Sequence, residues 1–253
     1  ELVESLLSIS MDDLDLDFDE YFKQRFAGPL SAMAPPVNSP GIPQNPQTIE
    51  DWIRVVRENP DNFPARLALG MMLFEEERLD EAEEHFRTAL RLFPGYGGMD
   101  SPYWFLAQLH QQRGETELAA AALSRLTALN ESHYVAFRQL AELRSELGDA
   151  TGAAEAMDAA VLIYPYEVEL HDRLAVAHEV RGDPIGTVRE RRAILALEPA
   201  DLAGAHYNLA LAYVAAGDRA QARRSLLRAL EIAPNFEAGL DLLLDLRSGA
   251  TRN

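Results

Sequence analysis

A small residue preceded by leucine returns along this chain at nearly constant spacing, and no other feature restricts its folding so tightly. Leu69-Gly70, Leu106-Ala107, Leu140-Ala141, Leu174-Ala175 and Leu209-Ala210 follow one another at steps of 37, 34, 34 and 35 residues. Each is trailed by further residues at matching offsets, such as Ala82, Phe86 and Ala89 in the first unit and Ala222, Leu226 and Ala229 in the fifth. Four units close on a proline: Pro94, Pro165, Pro199 and Pro234. A period near 34 predicts a repeat architecture in which each unit is one supersecondary element.

Apolar residues inside each unit recur at three and four, the spacing of helices that bury one stripe. Gly114, Gly148, Gly182 and Gly217 fall between two such stretches, where a left-handed C-cap is wanted. Asp149, Asp183 and Asp218 follow and are placed to cap a second helix. Pro184 falls at a first helical position, where its missing N–H costs nothing. The Gly or Ala of the leading motif lets the second helix approach closely. One helix pair cannot bury its stripe alone, so the units must stack. The fold class is all-α.

Over residues 63–236 this pattern resembles the tetratricopeptide-repeat (TPR) family. The resemblance implies a solenoid, a right-handed superhelix of antiparallel helix pairs, with the first helix of each pair lining a concave surface. Residues 48–62 (with Trp52, Ile53 and Val56) read as a half repeat closed by Pro60. Residues 237–253 read as a capping helix and tail. Residues 34–47 carry five prolines and read as a stiff linker. Residues 1–33 read as an acidic helical segment, with Leu14, Phe18, Tyr21, Phe22 and Phe26 at helical spacing. That aromatic face is expected to pack on the solenoid or on an upstream domain. The chain opens on Glu1, and we read it as a piece of a longer protein.

Composition narrows the function. Asp and Glu number 41 against 23 Lys and Arg, a net charge of -18, which argues against nucleic acid and for a neutral or basic protein partner. No run approaches the ~18 apolar residues of a membrane span. The chain has no cysteine, so thiolate chemistry and disulfides are excluded. Arginine- and alanine-rich usage, with Lys23 the only lysine, points to a GC-rich bacterial genome. Phe18, Asp19, Tyr21, Arg25 and Phe26 also resemble the end of the metalloprotease-like domain of the peptidase MA (gluzincin-like) family. That resemblance covers residues 8–27 and implies the accessory or substrate-docking tail of a zinc peptidase. No HExxH occurs in the chain, so no catalytic role is carried to any residue.

No catalytic, cofactor or metal site is expected. His171 and His178 lie seven apart at packing positions and read as buried, hydrogen-bonded side chains rather than ligands. Gly95-Tyr96-Gly97-Gly98 lacks the Lys-Ser/Thr of a phosphate loop and reads as a flexible insertion. Arg191 stands where the other units carry a large apolar residue, and reads as an arginine whose stem packs while its head reaches water. The TPR resemblance places ligand contacts on the first helices. Carried onto this chain, it implies apolar anchors at Leu67, Met71, Phe74, Trp104 and Phe105, with Tyr207 in the fifth unit. Gln108, Arg138 and Asn208 would supply hydrogen bonds. Leu67 and Met71 stand where a carboxylate clamp needs Lys and Asn, which excludes that ligand class. Either residues 1–47 of the chain itself or an external protein or peptide would cover this surface. A self-assembling structural module is a further alternative.

Overall fold

The computed structural model describes residues 10–34, 43 and 45–248. The described residues form 14 helices and no strand. Two compact units divide the chain, Glu1–Glu131 and Ser132–Asn253. The boundary falls beside Asn130, at the one junction between repeats that lacks a proline.

The first unit holds α1 (Met11–Arg25), α2 (Ala27–Ala32), α3 (Ile49–Glu58), α4 (Phe63–Glu75), α5 (Leu79–Leu92), α6 (Pro102–Gln112) and α7 (Thr116–Leu129). The second holds α8 (Tyr134–Glu146), α9 (Ala150–Ile163), α10 (Val168–Val180), α11 (Pro184–Ala196), α12 (Leu202–Ala215), α13 (Arg219–Ile232) and α14 (Glu237–Ser248). Helices pair in sequence, α4 with α5, α6 with α7, α8 with α9, α10 with α11 and α12 with α13. Most of the expected linker, residues 35–42 and 44, lies outside the described residues. The extra residue of the fifth unit lengthens α12 to 14 residues, against 13 in α4, α8 and α10.

The turns within pairs follow one hydrogen-bond rule. Gly114, Gly148, Gly182 and Gly217 all adopt φ between 69° and 78°. The next residue's N–H reaches back five positions, as in Glu115 to His110, Asp149 to Arg144, Asp183 to His178 and Asp218 to Tyr213. This is the Schellman closure, which satisfies carbonyls left over at a helix end. The carboxylates of Asp149, Asp183 and Asp218 then accept from Gly152, Gly186 and Gln221 N–H and start the second helix. Glu115, one methylene longer, has no such bond and places its carboxyl 2.6 Å from His110 Nδ1 instead.

The first pair breaks the glycine rule. Its turn bonds Arg78 N–H to the Leu73 carbonyl in the same way, but the residue at positive φ (58°) is Glu77. A β-carbon there is strained. Glu77→Gly is therefore expected to stabilise the chain by about 0.5–1 kcal/mol, the reverse of a usual glycine substitution. A thermal melt checks it, and an unchanged or lower midpoint contradicts the assigned turn.

Close approach inside the pairs is visible at Gly70. A β-carbon there would lie 2.7 Å from Cε1 of Phe86, which is fully buried. The equivalent second-helix positions hold Leu123, Met157, Arg191 and Leu226, and opposite them alanine is accommodated. The size of one residue thus dictates the other. The glycine-rich insertion is held on several sides, contrary to the flexible loop its sequence suggests. Tyr96 packs on Phe63 and Phe93, and its hydroxyl donates to Asp100 at 2.6 Å. Asn130 Nδ2 donates to the Gly97 carbonyl at 2.8 Å.

Candidate functional site

In the first unit, the residues expected to anchor a ligand divide by depth. Leu67 is only 5% exposed and belongs to the apolar cluster that runs from Ala32 to Leu106. It faces the core rather than a ligand, because its place on α4 falls on the packed stripe. Met71, Phe74 and Phe105 are half-buried against the same cluster. Phe105 lies parallel to Phe86 at 5.1 Å and edge-on to Phe74 at 5.9 Å, so much of its ring is committed to packing. Trp104 and Gln108 are half-buried beside them on α6. The segment before the repeats touches a different place. Ala32 is buried, α2 packs against α5, and Asn62 Nδ2 donates to the Ala34 carbonyl at 2.6 Å.

In the second unit, Arg138 is already engaged: its Nη1 lies 3.2 Å from Glu167, which also accepts from the Tyr134 hydroxyl. Such a half-exposed pair is worth little and exchanges easily. Asn208 is exposed, and Tyr207 packs edge-on against Phe236 at 5.0 Å. Next to Tyr207 the first helix of the fifth unit and the terminal helix enclose a cavity of about 520 Å³. Leu211, Val214 and Leu242 form its apolar lining, and Asp241 and Arg219 stand on its rim. Leu211 and Val214 are 41% and 38% exposed, high values for aliphatic residues facing a concavity. Arg219 also donates to the Leu246 carbonyl at 2.7 Å, tying α13 to the end of α14. Thus Tyr207 lies at the cavity, and α14 supplies its other wall, which no sequence motif signals. Its sequence reads as a cap, and only the fold shows that the cap leaves a trough.

The second unit also buries a polar cluster. His171 Nδ1 lies 2.7 Å from Glu190 Oε2, and His171 Nε2 donates to the Pro165 carbonyl at 3.0 Å. Arg189 Nε donates to the other Glu190 oxygen at 2.5 Å. Arg191 is buried, bonded through one nitrogen to Asp172 and through another to Glu179 at 3.1 Å. It does not reach water as its sequence context suggests; its charge is matched by acidic groups of α10, in its own repeat. Gly186 N–H holds the Asp183 carboxyl below its ordinary range. Burial pushes the His85, His133 and His206 imidazoles down. None of these lines the cavity. No group of three or more His, Asp or Glu among the described residues is arranged to hold a metal. No helix among them is long and apolar enough to cross a membrane.

Comparison with known proteins agrees with the repeat geometry. Family models described as tetratricopeptide repeat match residues 46–97 and 106–168, and residues 203–236. The crystal structure of YrrB, a TPR protein with an unusual peptide-binding site, matches with a TM-score of 0.53 at 17% identity, covering 77% of this chain and 98% of that one. A chain of the Naa15/Naa10 complex bound to HypK-THB matches with a TM-score of 0.50 at 19% identity, over 67% of this chain and 25% of that one. A tetratricopeptide repeat protein from Parabacteroides merdae gives 0.47 at 19% identity, over 79% and 91%. At such identities the likeness is one of fold. No curated protein matches. The peptidase MA resemblance of residues 8–27 is not borne out. The repeat matches, together with the capped helix pairs, show that the chain belongs to the tetratricopeptide-repeat family.

Proposed function

We propose that this chain is a non-catalytic scaffold that binds a peptide or protein segment on the first-helix faces of its repeats. The observation that carries this reading is the cavity between α12 and α14, with exposed Leu211 and Val214 on one wall and Leu242 on the other. Apolar side chains left open in a concavity are what helix-in-groove and extended-peptide recognition use. Asp241 on the rim favours a ligand that places a basic residue beside its apolar anchor. Trp104, Met71 and Phe74 offer a second apolar strip in the first unit, with Gln108 beside it. Arg138 and Asn208 supply polar contacts in the second. A fold shared with YrrB, a TPR protein with a peptide-binding site, is in keeping with this reading.

The test screens a random peptide library against the wild-type chain and against Leu211→Asp. Peptides enriched on the wild type should carry an apolar residue next to Lys or Arg. The variant should lose them by tenfold or more, since a central anchor contributes on the order of 2 kcal/mol. Leu211 is exposed, so the variant's thermal midpoint should stay unchanged. Equal binding by both proteins would sink the cavity as the site.

A further inference from the structure

Two surfaces remain that the groove does not use, and their chemistry is complementary. The first is α1. It buries no residue, and Phe18, Phe22 and Phe26 stand in a ladder with ring separations of 6.3 and 4.7 Å. Phe18 is 62% exposed, and Tyr21 beside it equally so. At 100° per residue, Asp15 and Asp19 run along one side of the ladder, Leu14 and Tyr21 flank the other, and Asp17 lies beyond them, about 100° from Phe18. The helix carries six carboxylates against two cations. Its substantial helix contact among the described residues is with α2. An aromatic face that large and that open marks an interaction site.

The second surface lies on the outer helices of the second unit. α11 and α13 carry seven arginines against two glutamates, in a chain whose net charge is -18. Both pack on α12. They are 35 residues apart in register, so equivalent positions face the same way. Ile185, 79% exposed, and Val188 line a shallow hollow of about 560 Å³ with Arg192 at its edge. On α13 the same face continues through Leu227, 40% exposed, with Arg223 and Arg224. Arg192, Arg223 and Arg224 are exposed and make no ion pair with any described residue. The surface is therefore an apolar strip edged by uncommitted guanidinium groups.

We propose that the α11–α13 face receives α1 of a second copy of this chain. The phenylalanine ladder would lie on Ile185, Val188 and Leu227, and the bordering aspartates would pair with Arg192, Arg223 and Arg224. Guanidinium groups also sit favourably over aromatic faces. The two copies repel at long range, but screening within about 8 Å at physiological ionic strength leaves the local charges to decide the contact. A free polyanion such as nucleic acid lacks the apolar ladder and meets the full charge of the chain. Helix and face are different surfaces on one molecule, so the contact is heterologous. It propagates into an open chain or closes into a ring, the two-membered ring included.

A charge swap in the full chain tests this by sedimentation velocity. One variant carries Asp15→Lys, Asp17→Lys and Asp19→Lys; the other carries Arg192→Glu, Arg223→Glu and Arg224→Glu. All six sites are exposed, so circular dichroism should show both folded. The wild type should associate as concentration rises, and each variant alone should stay monomeric. Mixing the two should restore association, because each reversed surface then meets its complement. A wild type that is monomeric at every concentration overturns the proposal. So does association that either reversal leaves intact, or a mixture that stays monomeric. None of these changes touches the α12–α14 cavity, so peptide binding there is read independently.

Discussion

Replacing His171 with phenylalanine is expected to destabilise the second unit by about 3–5 kcal/mol, although phenylalanine is the more apolar residue. The cause lies with the group left behind. Glu190 is 2% exposed, and its carboxyl is held by His171 on one oxygen and Arg189 on the other. The substitution removes the histidine and leaves a buried carboxylate with one oxygen unmatched, and the Pro165 carbonyl loses its donor. Repeat three shows what an apolar version needs. Counting back 34 residues, the equivalents of His171 and Glu190 are Phe137 and Ala156. The double variant His171→Phe/Glu190→Ala should therefore recover most of what the single one loses. Urea unfolding followed by circular dichroism gives both midpoints. Additive losses in the double variant would show that the pair is not coupled.

This pair also marks where the sequence stops being legible. The repeat unit was readable because its determinants are local: a glycine at positive φ, an aspartate at the N-cap, a proline past the end. Each acts within a few residues and recurs in three or four of the five repeats, so chance matches are averaged away. What the repeats do with their interior is not local. In repeat one the pair position holds Arg66 and His85, whose Nη1 and Nδ1 lie 3.2 Å apart. In repeat four it holds His171 and Glu190, 19 residues apart and meeting only once α10 and α11 are packed. Glu77 carries no sequence signal because its turn uses the repeat's hydrogen bonds without the repeat's glycine. The family register places Leu67 in the groove because it assigns positions, not depth, and a shift of one residue turns a helical side chain through 100°. The cavity beside Tyr207 depends on how α14 settles against α12, which no spacing records.

Arg191 leads to the opposite expectation from its neighbour. Arg191→Met should raise stability by about 1–4 kcal/mol, the range found when buried ion pairs give way to apolar groups of similar volume. Arg191 occupies the position that holds Phe86, Leu123, Met157 and Leu226 in the other repeats, and those four are at most 5% exposed. Its own side chain is 9% exposed, and its Nε is buried with no partner in the structure. Asp172 and Glu179, which take its other nitrogens, are 53% and 49% exposed. When the arginine is removed, both carboxylates rehydrate, whereas Glu190 in the His171 variant cannot. The desolvation cost of one cation disappears, and no orphaned charge replaces it. Methionine keeps the unbranched length of the stem and already fills this place in repeat three. The two variants thus touch the same helix pair with opposite signs, and the sign is set by whether the abandoned partner can reach water. A thermal midpoint for Arg191→Met below the wild type would mean that the arginine's pairs outweigh its burial.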